Sequence, residues 1–321
     1  MRAFIAVLAL ALAQAAAAQP FPSKTVRLVN PFPPGGPLDL LGRVLSERLA
    51  AGLGQPVIVE NRPGASGNVG AESVVRAIPD GHTVLLTLFS MVTSNPHLYT
   101  QLPFDPLKDF APVTALAATD SVLIAHPSVP ARSVAELVAY AKAHPGRLNY
   151  ASGGQATPGH LAGEYFRLKT GVNAVHVAYK GNAEAIRSVI AGETQIMFTP
   201  TTGALAHIKS GKLNALAVYH SDAVDELPGV PSLSAQGLAG FDQQNMPFWY
   251  GMLVRSGTPR EAIARLHTET LMVLREPATI ARLRAARLFV IGNTPEDFGT
   301  LMRQGHAAWG RIIRETGVKA E

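Results

Sequence analysis

Two short stretches carry glycine and proline residues in an order that leaves backbone N–H groups unpaired and pointing outward. The first is Pro31-Phe32-Pro33-Pro34-Gly35-Gly36-Pro37-Leu38-Asp39. Leu38, Leu41, Leu45 and Leu49 follow at the spacing of one apolar helical face, and Gly52 and Gly54 stop that helix. Pro37 suits a first helical turn, and Asp39 falls where the helix dipole favours a negative side chain. A glycine-rich turn feeding a helix N-terminus is a seat for an anion. Gly36 is expected to let the loop backbone approach that anion and to adopt a positive φ, so Gly36→Val should weaken binding far more than folding. The same glycines could simply turn the chain sharply. The second stretch repeats this grammar: Ser152-Gly153-Gly154-Gln155-Ala156, then Thr157 as N-cap and Pro158 as first helical residue. His160 lies in the first turn of that helix. It either faces a ligand or serves in packing or a surface hydrogen bond.

Other constellations fail on spacing. Gly64-Ala65-Ser66-Gly67-Asn68 has Asn68 where the hydrolase elbow G-x-S-x-G requires glycine. Gly211-Lys212 lacks both the upstream glycine and the Ser/Thr of a phosphate-binding loop, and no G-x-G-x-x-G stands between a strand and a helix. Ten histidines occur, none paired at metal-ligand spacing, so no metal and no cofactor are expected. Phe248-Trp249-Tyr250 reads as a core strand rather than a binding wall, although alternate side chains could serve both. No catalytic set emerges, which points to a binding protein and not an enzyme. The enzymatic alternative is a secreted serine hydrolase using Ser66 or Ser152 with His160.

The elements that must position these loops alternate between strand and helix. Strands are predicted at Val26–Asn30, Val57–Glu60, Thr83–Leu88 and Ala111–Ala117, with helices at Leu38–Ala51 and about Gly67–Ala77. That alternation predicts an α/β domain with a largely parallel sheet. A second run follows, with strands at Ser121–Ala125, Leu148–Ala151, Val175–Ala178, Gln195–Phe198 and Ala215–Tyr219. Capping boxes are predicted at Ser133/Glu136 and Thr258/Glu261, and a last helix opens at Thr294. Phe248–Val254 reads as a strand that returns the chain to the first lobe. The expected organisation is residues 24–122 plus 245–321 as one α/β lobe and 123–244 as the other, joined by a hinge. Ligands favour such interdomain clefts and the carboxyl ends of sheet strands.

Composition narrows the setting. The chain has 321 residues, 47% of them hydrophobic, enough for a substantial core. Arg2, the apolar run Ala3 to Ala13 and Ala16-Ala17-Ala18 read as a signal peptide over residues 1–18, cleaved near Ala18. The expected location is therefore the periplasm. Cysteine is absent, which fits export of a chain whose core needs no disulfides. Removing residues 1–18 takes one arginine and no acid, so the net charge falls from +5 to +4. The basic residues are dispersed, with no run that would grip nucleic acid.

The chain resembles the Bug family, periplasmic solute-binding components of tripartite tricarboxylate transporters, over essentially the whole mature length. The resemblance rests on the Pro31–Asp39 loop, Val59-Glu60-Asn61-Arg62-Pro63-Gly64-Ala65-Ser66-Gly67-Asn68, Ile78-Pro79-Asp80-Gly81 and Lys108-Asp109-Phe110-Ala111-Pro112-Val113. It continues in Leu148-Asn149-Tyr150-Ala151-Ser152 with His160-Leu161-Ala162-Gly163-Glu164, Tyr179-Lys180-Gly181 and His207-Ile208-Lys209-Ser210-Gly211-Lys212-Leu213. It implies a two-lobed Venus-flytrap fold of the type II periplasmic binding class. It also implies a carboxylate held between the two loops through backbone N–H groups and water, and membrane subunits of a tripartite tricarboxylate-type transporter as partners of a monomer. A sensor input to a membrane receptor is the alternative role. The candidate ligand-binding residues are Phe32, Pro34, Gly35, Gly36 and Asp39 from the first loop and Ser90 after the third strand. Ser152, Gly153, Thr157 and His160 come from the second loop, and Tyr179 and Thr199 from later strand ends. Leu38 and Thr199 depart from the family pattern, which often has a small hydroxyl residue and an acid at these places. Without an acid at position 199, a ligand ammonium group would lack its partner, so none is expected.

Overall fold

A computed structural model describes residues 21–219, 226–238, 241 and 248–319. The expected signal peptide and the 244/245 lobe boundary lie outside the described residues. The first lobe is built on β1 (Val26–Asn30), β2 (Val57–Asn61), β3 (Thr83–Leu88), β4 (Phe110–Ala118), β10 (Trp249–Arg255) and β11 (Phe289–Val290). These form a six-stranded sheet in the order β11-β4-β10-β3-β1-β2. The second lobe is built on β5 (Ser121–Ala125), β6 (Leu148–Ser152), β7 (Ala174–Ala178), β8 (Ile196–Pro200) and β9 (Asn214–Val218), in the order β7-β6-β8-β5-β9.

Both sheets are mixed rather than largely parallel. β1 pairs in parallel with β2 and β3, whereas β10 runs antiparallel to β3 and β4. In the second sheet β6 is parallel to β7 and β8, while β5 is antiparallel to β8 and β9. The cause is the double crossing of the chain. β5 and β10 are the strands by which the chain enters each lobe from the cleft, so they must run away from it. The remaining long strands run toward it. Their carboxyl ends therefore converge on the cleft, where the helices that follow begin.

Those helices are α1 (Pro37–Leu53) after β1, α6 (Pro158–Thr170) after β6, α7 (Asn182–Ala191) after β7 and α8 (Thr201–Lys209) after β8. The outer layers comprise α2 (Asn68–Val75), the short α3 (Phe89–Thr93) and α4 (Asn95–Leu98), α5 (Val134–Ala143), α9 (Arg260–Arg275), α10 (Pro277–Ala285) and α11 (Pro295–Thr316). α10 and β11 have no counterpart in the sequence-based expectation. Ser133 accepts from the Glu136 N–H at 3.2 Å, but Glu136 reaches the Arg132 N–H instead of closing the box. Thr294 caps α11 as expected, accepting from the Asp297 N–H at 3.1 Å. Thr258 does not cap α9: its hydroxyl donates to the Arg255 carbonyl, and the helix starts two residues later.

Among the described residues the core has three parts. One lies between the first sheet and the α1/α9 layer, and one between the second sheet and α7/α8. The largest is shared: Val29, Leu85, Phe89 and Trp309 belong to it together with Leu123, Leu161, Phe198 and Tyr219. α11 closes this shared core, packing on α3 and β4 and also on α6 of the other lobe. Backbone bonds tie the two crossings, with the Thr119 N–H donating to the Phe248 carbonyl at 3.0 Å and the Tyr219 N–H to the Ser121 carbonyl at 2.9 Å.

Candidate functional site

The lobes enclose a cavity of about 760 Å³. Its floor and walls come from strand ends and helix starts: Phe32 and Pro37 after β1, Phe89 after β3, and Gly153, Thr157 and Gly159 after β6. Phe198, Thr199 and Thr202 at the β8–α8 junction and Tyr219 after β9 complete the second-lobe side, and Phe248 and Tyr250 come from the returning strand. A smaller hollow of about 370 Å³ lies beside it, lined by Phe32, Pro34, Gly36, Leu38 and Asp39 among others. The two share Phe32, Pro37, Leu88 and Tyr250.

In the first loop the chain supplies its own anion. The Asp39 carboxylate accepts from the Gly35 N–H at 3.0 Å and from Arg43 Nε at 2.8 Å, and Asp39 is only 5% exposed. The hydrogen bond from Arg43, reinforced by the Gly35 amide, outweighs burial and holds the Asp39 carboxyl below the usual carboxylate range. Its other oxygen has no hydrogen-bond partner. The loop is braced from behind by Asn30 Oδ1, which accepts from the Phe32 N–H, and by Asn61, which donates to the Phe32 carbonyl. Positive φ falls at Gly35 (φ 93), not at Gly36. Gly36 has φ −87 and ψ 177, extended backbone open to any residue, and a Cβ there would meet nothing within 4 Å. The expected intolerance of Gly36 to a side chain therefore has no backbone basis.

The second loop keeps its helix end open. Thr157 stands at the N-cap position with extended φ/ψ, yet its hydroxyl donates to the Gly154 carbonyl at 2.7 Å and caps nothing. The start of α6 is thus left without a side-chain cap, and Thr157, Pro158 and Gly159 line the cavity. Gly159 lets α6 lie close against β8, since a Cβ there would sit 2.6 Å from the Phe198 carbonyl oxygen. Next to it is Thr199, which is 2% exposed and whose hydroxyl has no hydrogen-bond partner. A buried hydroxyl without a partner carries a desolvation penalty of about 1–3 kcal/mol.

Ser152 and His160 lie behind the wall. Ser152 is fully buried, donates to the Gly154 carbonyl at 2.8 Å and meets His176 Nε2 at 2.6 Å. His160 Nδ1 accepts from the Ala156 N–H at 2.9 Å, so that nitrogen is unprotonated. The His160 and His176 rings stack at 3.8 Å and 6°, with Tyr150 stacked on His176 at 4.8 Å. Tyr150 in turn donates to Glu164, which Arg167 grips through both oxygens. This network fixes the conformation of the loop that presents Gly153 and Thr157. Ser152 is adjacent to His176, not to His160 as the hydrolase alternative needs. Ser66 is held by Tyr99 at 2.8 Å.

Burial, followed by the neighbouring His160, pushes the His176 imidazole down to about 4, and burial lowers His160 as well. The folded ring refuses a proton that the unfolded ring accepts near 6.5. Stability should thus be complete above pH 6.5 and fall as pH drops toward 4. With His176 partly solvated, the loss is expected to be on the order of 1–2 kcal/mol. Urea midpoints at pH 7 and pH 4.5 test this, and His176→Asn should flatten the difference. An equal dependence in that variant would place the titration elsewhere.

Of the sequence-predicted residues, Phe32, Gly153, Thr157 and Thr199 line the main cavity, and Phe32, Pro34, Gly36 and Asp39 line the adjoining hollow. Gly35, Ser90, Ser152, His160 and Tyr179 line neither. Gly35 and Ser152 act through the loops they shape, Ser90 sits in α3 with its carbonyl accepting from Ser94, and Tyr179 packs beside the α7/α8 core.

Residues 41–318 match the family described as the tripartite tricarboxylate transporter family receptor. The chain belongs to this receptor family. Its relatives include Protein BugT of Bordetella pertussis, 30% identical over 325 residues, covering 99% of each chain. The receptor also superimposes on R. palustris Rpa4515 with adipate, at TM-score 0.78 and 29% identity over 93% of this chain and 99% of that one. MatC from Rhodopseudomonas palustris with bound malate gives TM-score 0.74 at 27% identity, covering 91% and 100%. The fold is that of these two-lobed binding proteins.

Sequence reasoning missed much of the receptor's cavity wall. Phe89, Thr119, Asn182, Phe198, Tyr219 and Leu288 line it and were not singled out. The signal available was position, since most of them stand at or just beyond the end of a strand. In Phe248-Trp249-Tyr250 the outer two line the cavity, while Trp249 packs edge-on against Phe298 at 4.9 Å.

Proposed function

We propose that this receptor is exported, loses residues 1–18, and in the periplasm binds a small carboxylate for delivery to the membrane subunits of a tripartite tricarboxylate-type transporter. It works as a monomer and not as an enzyme. Its two lobes, residues 24–122 plus 245–321 and residues 123–244, hinge about the crossings between them. The observation that carries this reading is the start of α6, without a side-chain cap, at the wall of an interlobe cavity that Gly153, Thr157 and Thr199 also line. The adipate and malate in structurally similar receptors support it. No helix among the described residues is long and apolar enough to cross a membrane.

Calorimetric titration of the mature protein with carboxylates and their amides is the direct test. A carboxylate should bind and its amide should not, and small-angle scattering should show a smaller radius of gyration at saturation, because a ligand touching both lobes favours the closed state. Equal binding of acid and amide would remove the carboxylate from the reading.

A further inference from the structure

α10 stops on an arginine where this chain otherwise uses glycine. The Arg287 N–H donates to the Arg284 carbonyl and the Leu288 N–H to the Leu283 carbonyl, both at 2.9 Å. These bonds close the helix and put Arg287 at φ 61. Glycine normally takes that place, because a side chain is strained in the left-handed region. α1, α6, α7 and α11 follow the habit, each ending on a glycine: Gly54, Gly171, Gly192 and Gly317, with φ between 68 and 77. An arginine held in this conformation despite the strain points to a contact that its side chain makes.

That contact is an ion pair with Glu226. Both side chains are largely covered, at 22% and 25% exposed. Their neighbours are anchored in different cores. Leu288, next to Arg287, is buried between the first sheet and the α1/α9 layer, and Leu227, next to Glu226, between the second sheet and α7/α8. The pair therefore bridges the lobes, whereas Arg48–Glu276, Arg282–Glu47 and Arg167–Glu164 each stay within one. It does so at the cavity, since Ala286 and Leu288, on either side of Arg287, both line it. Pairing of Phe289 with Ala118 sets the arginine close to the crossing that follows β4.

Charges on separate lobes attract each other strongly only while the lobes meet. Opening would part them and return each to water, so the pair favours the closed arrangement over the open one. We infer that Arg287 and Glu226 form a clasp between the lobes, which biases the receptor toward a closed cleft whatever fills it. The clasp rests on the hinged, two-lobed reading above and goes beyond it, naming residues that set the balance between open and closed receptor.

The chain has no cysteine, so spin labels can be placed at two introduced ones. Val69→Cys in the first lobe and Lys180→Cys in the second are both exposed positions. Double electron–electron resonance on the mature protein then reads the distance between the lobes. In Glu226→Gln and in Arg287→Gly the ratio of longer to shorter distances should rise about fivefold. Arg287→Gly should do so without lowering the melting temperature, because glycine relieves the left-handed backbone. Glu226→Arg alone should open the receptor further, and combining it with Arg287→Glu should recover the parent distribution. A parent distribution in the folded single variants overturns the clasp. If adipate or malate still shortens the distance in those variants, the hinged receptor stands without its clasp. If neither acid moves the distance in any of the proteins, the hinge falls with the clasp.

Discussion

Thr157→Asp is expected to abolish most carboxylate binding while leaving the receptor folded. The new carboxylate would cap α6 about as well as any natural N-cap and would interact favourably with the helix dipole. It would forgo the bond that the Thr157 hydroxyl donates to the Gly154 carbonyl, a loss of about 1 kcal/mol that the cap offsets. Melting should therefore stay near that of the parent. Binding should not, because the aspartate would occupy the donors assigned to the ligand. Two like charges about 4 Å apart at an effective dielectric near 20 repel by roughly 4 kcal/mol, close to a thousandfold in affinity. Thr157→Val, which removes the hydroxyl without adding charge, is the control and should lose about tenfold or less. A melting curve and a titration on each variant decide the matter. Native affinity in a folded Thr157→Asp would move the anion seat away from α6.

Trp309→Ala is the second large effect, this time on stability. Trp309 is fully buried in α11, where that helix closes the core shared by both lobes. Truncating a buried tryptophan removes apolar contact and leaves a cavity, a loss of about 3–5 kcal/mol. Its indole N–H has no partner, so deleting it also removes an unpaired donor, which places the loss toward the lower end. The ring leans on Phe89 at 6.1 Å, and Phe89 supports Phe248 in the cavity wall. Ligand affinity should consequently weaken along with stability. Trp309→Phe keeps most of the packing and should lose less than half as much. Urea unfolding followed by a titration at low denaturant measures both quantities. A stability loss under about 1 kcal/mol would mean that α11 docks without this residue.

Local sequence carried the elements and their order. The apolar stripe Leu38, Leu41, Leu45 and Leu49 is legible because a helix must bury one face, and all four are buried against the first sheet. β1, β3 and β5 appear at the bounds that their β-branched and apolar runs predict. Two glycine-bearing loops leading into helices were likewise legible as such, because turn chemistry is a property of a few consecutive residues. Strand direction was not. Whether β10 runs with or against β3 depends on which end of the sheet the chain re-enters from, and nothing within Trp249–Arg255 records that.

The tertiary structure alone decided what the two loops are free to do. Asp39 and Gly35 are four residues apart, and only the folded turn shows that the carboxylate takes the amide that a ligand would otherwise use. Ser152 and His160 look like a pair in sequence, yet β6 and β7 lie side by side, and it is His176 that reaches the Ser152 hydroxyl. The aromatic wall joins Phe89, Phe198, Tyr219 and Phe248 from four separate segments, so no window of sequence contains it. Composition and spacing act over one helix turn or one strand pair. The cavity is made by strand ends brought together across two crossings, and its chemistry is set there.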